Sequence, residues 1–310
     1  MSGTAKPLRY VRLPDPDKMS ENEPFKLNDW LVDRAARATI WGLLLLPYRW
    51  RVPLCGALVS RLVAPLAGYR RRIRDNLAMI LPDLPKTEVE RIVLAVPDNF
   101  GRALIELYSG KEFVAQCRRL PLTGPGLAAL DEAHRAGRPV VLVTGHFGNY
   151  EACRAALLGL GYRVGVLYKP MTNNYFNAHY VRAMTVIGTE NFPRGRAGLG
   201  GMIRHLRSGG MLGILVDQHM GHGAPLTFFG REALTALSAA ELALKYDALV
   251  VPTYAARQED GLAFEIIVEE PVAHGSPEEM TQRLNDSLER IVRLNLGQWL
   301  WIHKRWKGRR

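Results

Sequence analysis

Three short apolar runs, rich in branched side chains, most constrain what this chain can fold into. They occupy residues 138–144, 162–168 and 210–216, with the sequences RPVVLVT, YRVGVLY and GMLGILV. Apolar runs of this length without alternation are typical of central strands in a parallel sheet, which is covered on both faces. Helical patterns follow at 150–160, 174–187 and 197–208. The alternation predicts right-handed βαβ units and an α/β fold, with a mostly parallel central sheet flanked by helices.

The regions on either side of these units predict further elements. ALVVPTYAAR and LAFEIIVEEPV, separated by QEDG, predict an antiparallel hairpin with Asp260-Gly261 in the turn, and a helix follows from about 277 to 296. Upstream, the segment around LPDLPK predicts two amphipathic helices. Thr87 and Glu90 match a capping box that would open the second of them. GRAGLGG at 195–201 lacks the spacing of a nucleotide-binding loop, so we expect a flexible loop entering a helix.

Residues 33–75 concentrate the positive charge of a chain whose formal net charge is +11. This stretch holds nine arginines against two acids, interleaved with apolar runs such as WGLLLLP that have tryptophans at their edges. Basic flanks on apolar, tryptophan-edged segments are typical of a membrane-interface element. Nucleic-acid surfaces do not usually carry such runs, so we expect no nucleic-acid partner. An anionic membrane surface is the expected contact.

The apolar runs of this stretch are too short for a simple transmembrane helix, which needs about 18–20 uncharged residues. Arg49 and Arg51, in the region between Pro47 and Pro53, split the pair into two shorter helices. We therefore expect peripheral or shallow attachment; the alternative is a buried helical hairpin packed on the catalytic domain. The predicted division is a polar arm without a signal-peptide pattern (1–29), basic apolar membrane-associated helices (30–76) and a catalytic domain (77–310).

The stretch GHFGNYE at 145–151 carries the most specific chemistry. His146 falls at the end of a predicted strand, where open α/β sheets place their ligands, and Glu151 falls in the first turn of the next helix. The two could form an acid–base pair. A strand-end histidine beside a helix-start acid, which the helix dipole favours, is an equally valid interpretation of this stretch alone.

Several ordered blocks resemble the late lipid A acyltransferase family, the lauroyl and myristoyl transferases, within the wider glycerolipid acyltransferase superfamily. That superfamily is marked by a histidine and an acid separated by four residues, here His146 and Glu151. The other blocks, starting from about residue 35, include RRIRDNLAMILPDLP, YKPMTNNYFNAHYVRAMTVIG, LGILVDQHMGHGAPLTFFGREALT and WLWIHKRWK. The resemblance implies a glycerolipid acyltransferase-like fold and direct acyl transfer, with no cofactor and no catalytic metal.

In the implied mechanism, His146 takes the proton of a substrate hydroxyl as the hydroxyl attacks a carrier thioester. Glu151 would accept a hydrogen bond from the other imidazole nitrogen, as the acid does in a serine-hydrolase triad. The implied substrate-binding residues are Arg182, Asp217, Gln218, Gly148 and Asn149. Arg182 suits a phosphate, Asp217 and Gln218 follow a strand end on the same side as His146, and the backbone N–H groups around Gly148 and Asn149 are candidates for holding the oxyanion.

We therefore expect an O-acyltransferase that moves a fatty acyl chain to a hydroxyl of a lipid A precursor, at the cytoplasmic face of a bacterial inner membrane. The expected partners are an acyl-acyl carrier protein or acyl-coenzyme A donor, a phosphorylated glycolipid acceptor and an anionic membrane surface. The alternatives are a lysophospholipid, ornithine-lipid or phosphoinositol-mannoside acyltransferase, or a membrane-binding protein without catalysis. A metal-dependent hydrolase using Asp217, His219 and His222 is a further alternative.

Overall fold

A computed structural model describes residues 26–307 of the 310-residue protein. Its helices are α1 (Leu27–Leu44), α2 (Tyr48–Leu58), α3 (Ala64–Leu66), α4 (Tyr69–Ile80), α5 (Lys86–Tyr108), α6 (Lys111–Cys117), α7 (Leu127–Arg135), α8 (Tyr150–Gly159), α9 (Asn174–Ile187), α10 (Arg196–Arg207), α11 (Ser238–Tyr246) and α12 (Pro277–Leu294). Its strands are β1 (Leu122–Thr123), β2 (Val140–Thr144), β3 (Val164–Tyr168), β4 (Asn191–Pro193), β5 (Met211–Leu215), β6 (Ala224–Phe228), β7 (Arg231–Thr235), β8 (Leu249–Arg257) and β9 (Phe264–Val268). A π-helical turn links α2 to α3. The predicted polar arm lies, up to residue 25, outside the described residues.

Seven strands form one sheet in the order β1-β9-β8-β2-β5-β3-β4. Within this order, β8, β2, β5, β3 and β4 run parallel to one another. At the other end of the sheet, β9 is antiparallel to β8, and β1 runs parallel to β9. β6 and β7 form a separate antiparallel pair. The prediction of a mostly parallel sheet flanked by helices is therefore confirmed, and its three apolar runs are β2, β3 and β5.

The sheet is covered on both faces because successive side chains of a strand point in opposite directions. Val140 and Leu142 of β2 belong to one hydrophobic cluster, while Val141 and Val143 belong to another on the opposite face. All four are almost fully buried, and each burial contributes about 1.5–3 kcal/mol. The continuous apolar run in the sequence is thus the direct consequence of a strand without a solvent-facing side.

Two local expectations fail. The predicted capping box is wrong: α5 begins at Lys86, directly after Pro85, and Glu90 instead forms a two-pronged pair with Arg74, with both N···O distances 2.7 Å. The glycine-rich segment expected to be a loop forms the first half of α10. In addition, the β6–β7 pair was not predicted. Its turn is made by Phe229 and Gly230. Both residues have positive φ, as the two central residues of a tight type I′ hairpin turn require.

The helices of the predicted membrane-associated segment have a buried inner face and an exposed apolar outer face. Ile40, Leu43, Val52 and Cys55 join the core cluster that contains Ile105 of α5. The exposed large apolar residues of this region are Leu27, Leu31, Val32, Trp41, Leu45, Trp50, Leu54, Leu62, Val63 and Leu66. Within residues 26–307 no single helix is long and apolar enough to cross a membrane. The bent pair Tyr48–Leu66 and Tyr69–Ile80, which meets at 85°, passes by length and composition alone.

Candidate active site

His146 lies just beyond the carboxyl end of β2, in the short loop that leads into α8. The lack of a side chain at Gly145 lets Leu288 and Asp217 pack closely against the loop, since a Cβ at this position would lie 2.8 Å from Leu288 and 3.1 Å from an Asp217 oxygen. Gly148 has φ 53°, and a Cβ there would lie 1.8 Å from the carbonyl oxygen of Ala255. Both glycines are therefore needed for the loop to pack as it does.

Asp217 holds the His146 imidazole. It follows β5, the neighbour of β2, so the two parallel strands bring both side chains to the same edge of the sheet. The Oδ1 atom of Asp217 lies 2.8 Å from His146 Nδ1, and its Oδ2 atom accepts the His146 backbone N–H at 2.7 Å. Burial alone would raise the pKa of Asp217, but the charge and hydrogen bonds of His146 outweigh it and hold the pKa well below its usual range. Asp217 is thus a carboxylate that fixes the ring and leaves Nε2 facing the substrate side.

The prediction that Glu151 accepts the hydrogen bond of His146 is wrong. The Glu151 carboxylate lies instead beside Arg154, one helical turn further along α8, at 3.5 Å from its Nη1. Both side chains are buried. Burial raises the pKa of the Glu151 carboxyl, and the charge of Arg154 offsets this only in part. Glu151 still lines the cavities around His146, so a role in catalysis stays a prediction.

The backbone N–H groups of Gly148 and Asn149 are not available to an oxyanion, contrary to the prediction. They donate to the carbonyl oxygens of Gln298 and Ala255, at 3.0 and 3.2 Å. The Asn149 side chain caps α8 by accepting the Glu151 N–H and donates to Glu106 Oε2 at 2.8 Å. These two residues therefore fix the loop, but both also line a cavity beside His146, so substrate binding by them stays a prediction.

Arg182 and Gln218 were both predicted to bind substrate, and the structure places them differently. Arg182 is exposed on α9 and is absent from the linings of the cavities that contain His146. The side-chain nitrogen of Gln218 lies 3.3 Å from His146 Nε2 and 3.3 Å from His303 Nε2. Gln218 is exposed and covers the free nitrogen of the imidazole, at the position a substrate hydroxyl would take.

The C-terminal segment supplies site residues that the sequence reasoning did not identify. Trp299 donates its indole N–H to Asp217 Oδ2 at 2.9 Å, and the His303 ring lies 4.9 Å from that of His146, centroid to centroid. Arg305 anchors the segment: it is fully buried and donates to Leu234 O and Thr235 Oγ1. The repeated tryptophans of WLWIHKRW were the available signal, because buried indoles need a partner for their N–H.

His303 is expected to make the protein less stable as the pH falls from about 6.5 towards 4. Burial, with the nearby charge of His146, lowers its pKa to about 4, whereas an unfolded histidine titrates near 6.5. In that window the unfolded chain binds a proton that the folded chain does not, so acid favours unfolding. We expect His303→Gln to flatten the pH dependence of the urea-unfolding free energy. An unchanged slope would contradict this assignment.

Two cavities meet at His146. The larger, of about 720 Å³, has apolar walls that include Met202 and Ile214, and Lys169, Arg194 and Lys245 also line it. The second, of about 400 Å³, lies against α5, where Val96, Phe100, Ala103, Leu104 and Leu107 form its wall. His146, Tyr150, Glu151 and Tyr180 line both. This arrangement can hold two largely apolar molecules whose reacting groups meet at the imidazole.

The metal alternative has no support in the arrangement of ligands. Among residues 26–307, no three His, Cys, Asp or Glu side chains come together as a metal site would require. Asp217, which that alternative needs, directs its oxygens to His146 and Trp299.

Comparisons with known proteins agree on one family. The model of the family described as bacterial lipid A biosynthesis acyltransferase matches residues 21–308. The chain is 25% identical over 253 residues to a Haemophilus influenzae protein named lipid A biosynthesis acyltransferase, covering 78% of this chain and 79% of the relative. It is 23% identical over 280 residues to an Escherichia coli protein named lipid A biosynthesis lauroyltransferase, covering 87% and 89%.

Proposed function

Because the chain belongs to the bacterial lipid A biosynthesis acyltransferase family and is an acyltransferase of lipid A biosynthesis, we propose that it moves a fatty acyl chain from a carrier thioester to a hydroxyl of a lipid A precursor. The observation that carries the proposal is the Asp217–His146 pair at the junction of two cavities. An imidazole oriented on Nδ1, with Nε2 next to the exposed and displaceable Gln218 amide, is suited to activating a hydroxyl.

The proposed step is a direct transfer without an acyl-enzyme. The acceptor hydroxyl displaces the Gln218 amide from His146 Nε2 and gives its proton to that nitrogen as its oxygen bonds to the thioester carbonyl carbon. The carbon–sulfur bond then breaks, and the leaving thiolate takes the proton from the imidazolium. Asp217 stabilises the imidazolium while it exists and keeps Nε2 unprotonated before the step, because it accepts the hydrogen bond of Nδ1.

The proposed setting is the cytoplasmic face of the bacterial inner membrane. Supporting it, the exposed apolar residues between α1 and α3 include Trp41 and Trp50, and arginines of the same segment such as Arg49 and Arg61 are exposed as well. Tryptophans and basic residues around apolar side chains suit an anionic lipid–water interface. The net charge of +11 also suits an acidic acyl carrier protein as donor, with coenzyme A as the other candidate.

The proposal predicts a specific lipid phenotype. In cells lacking the gene, mass spectrometry of total lipid is expected to show lipid A that lacks one acyl chain, with phospholipids unchanged. The wild-type gene restores the missing chain, whereas His146→Ala does not, because the acceptor hydroxyl has lost its base. Loss of a base of this kind lowers a rate by about 10²- to 10⁴-fold.

Other outcomes of the same measurement would contradict the proposal. An intact lipid A beside altered phospholipids or ornithine lipids would point to one of the alternative acceptors. Full restoration by His146→Ala, at a protein level equal to that of the wild type, would overturn the catalytic assignment and favour a membrane-binding protein.

A further inference from the structure

A third cavity, of about 340 Å³, opens beside the active site and is lined largely by basic side chains; it is called the cationic cleft below. Its cationic and imidazole groups are Arg72 of α4, His219, His303, Lys304 and Lys307. Among the described residues that line it there is no aspartate or glutamate. Positive charge gathered without compensation in a concave surface attracts an anion.

The arginines of α4, of which Arg72 lines the cleft, differ in how they are paired. Arg71 and Arg74, on the same helix, lie near Asp75 and Glu90, at 3.8 and 2.7 Å. Arg72, by contrast, makes a single long hydrogen bond within residues 26–307, of 3.5 Å from Nη1 to the carbonyl oxygen of Ile302. Its guanidinium therefore keeps donors for a ligand. A guanidinium binds phosphate oxygens with two parallel N–H groups, and the adjacent lysines add charge.

His219 is a second, independent indication. Its Nδ1 atom is buried and has no hydrogen-bond partner among residues 26–307. A buried polar atom without a partner costs about 1–3 kcal/mol, so such atoms are seldom left unpaired. Because His219 lines the cleft, a ligand there would reach this nitrogen once the imidazole ring turns towards it.

The cleft is joined to the active site by shared walls. Gln218 lines both the cleft and the larger cavity, and His303 lines both the cleft and the cavity against α5. A group held in the cleft is thus separated from His146 by one layer of side chains. On its other side, Tyr69 of the cleft follows three residues after Leu66, which is 89% exposed. One wall of the cleft thus belongs to the same basic segment that carries the exposed apolar residues.

Resting on the proposed function, we propose that the cationic cleft binds a phosphate group of the acceptor lipid and so decides which acceptor hydroxyl reaches His146. The position favours the acceptor, because a membrane lipid presents its phosphate at the interface next to the apolar outer face. Once the phosphate is fixed, only acceptor hydroxyls at a matching distance from it come within reach of Nε2. In this proposal, Arg72, Lys304 and Lys307 bind the phosphate that the sequence analysis expected Arg182 to bind.

The test compares enzyme variants with matched acceptors. Initial rates of the purified full-length protein are measured with a phosphorylated glycolipid acceptor and with the same acceptor after removal of its phosphate. For the wild type, we expect a KM about tenfold lower for the phosphorylated acceptor, the scale of two charge contacts. Lys304→Gln/Lys307→Gln is expected to lose this preference. The control Lys111→Gln/Lys86→Gln, which removes two exposed charges outside the three cavities, keeps it.

A second arm separates the two substrates that carry phosphate. The same variants are assayed with an acyl thioester on a phosphopantetheine-bearing carrier and on N-acetylcysteamine, which has no phosphate. If the double variant lost only the preference between these donors, the cleft would serve the donor and the inference would be overturned. A double variant that keeps the acceptor preference would overturn it too. If either of these results is found and His146→Ala still abolishes transfer, the proposed function stands although the inference about the cleft is wrong. Wild-type protein inactive with both acceptors would remove the proposed function and the inference together.

Discussion

Replacing Asp217 by asparagine is expected to lower kcat on the order of 10³- to 10⁴-fold, the scale seen for the matching change in serine-protease triads. Two donors, the His146 backbone N–H and the Trp299 indole N–H, point at Oδ2. The asparagine oxygen must occupy that position to satisfy both, so the amide NH₂ faces His146 Nδ1. Nδ1 then becomes the acceptor and Nε2 carries the proton, which leaves the ring unable to act as a base.

Glu151→Gln is the matched comparison for this prediction. Glu151 pairs with Arg154 and does not contact the imidazole, so its replacement leaves the tautomer of His146 unchanged. We expect its kcat loss to be at least tenfold smaller than that of Asp217→Asn. Steady-state kinetics of both variants, with folding checked by circular dichroism, provide the measurement. An equal or larger loss in Glu151→Gln would return the orienting role to Glu151.

The second large effect concerns the buried ion pair that supports the loop after β2. Arg257 donates to both oxygens of Glu106, at 2.6 and 2.7 Å, and to Asn99 Oδ1 at 2.8 Å. Glu106 in turn holds Asn149, which caps α8. Arg257→Ala leaves the Glu106 charge buried without its partner, so we expect the free energy of unfolding to fall by about 3–5 kcal/mol.

Arg74→Ala serves as the control, because the Arg74–Glu90 pair has the same two-pronged geometry at the surface. Solvent screens this pair, and we expect its loss to cost no more than about 1 kcal/mol. Urea unfolding of the two variants beside the wild type measures both values. Equal losses would show that burial does not set the strength of the Arg257 pair.

The sheet was predictable from sequence because burial on both faces removes polar residues from the central strands, as in VVLVT of β2. Helix α9 was predicted with its observed bounds from its helical pattern, and the structure adds that the Asn173 side chain caps its start. The β6–β7 hairpin was missed because its strands are partly exposed and so lack a continuous apolar run, and Phe229-Gly230 is a weak turn signal.

The partner of His146 was harder to predict because contact across a sheet is not visible in sequence spacing. Glu151 is five residues away, yet its place in the first turn of α8 directs it towards Arg154. Asp217 is 71 residues away and reaches the ring because β2 and β5 are neighbours. Its position after a strand indicated the correct edge of the sheet, but the strand order that makes it the partner came only from the structure. His303 likewise depends on how the C-terminal segment folds back.

Transfer by the purified protein tests the central claim most directly. An acyl thioester and a lipid A precursor are incubated with the wild type and with His146→Ala, and the acceptor is followed by mass spectrometry. The account predicts that the wild type adds one acyl chain to the acceptor and that His146→Ala forms product at least about 10²-fold more slowly. Product formation at the wild-type rate by His146→Ala would contradict it.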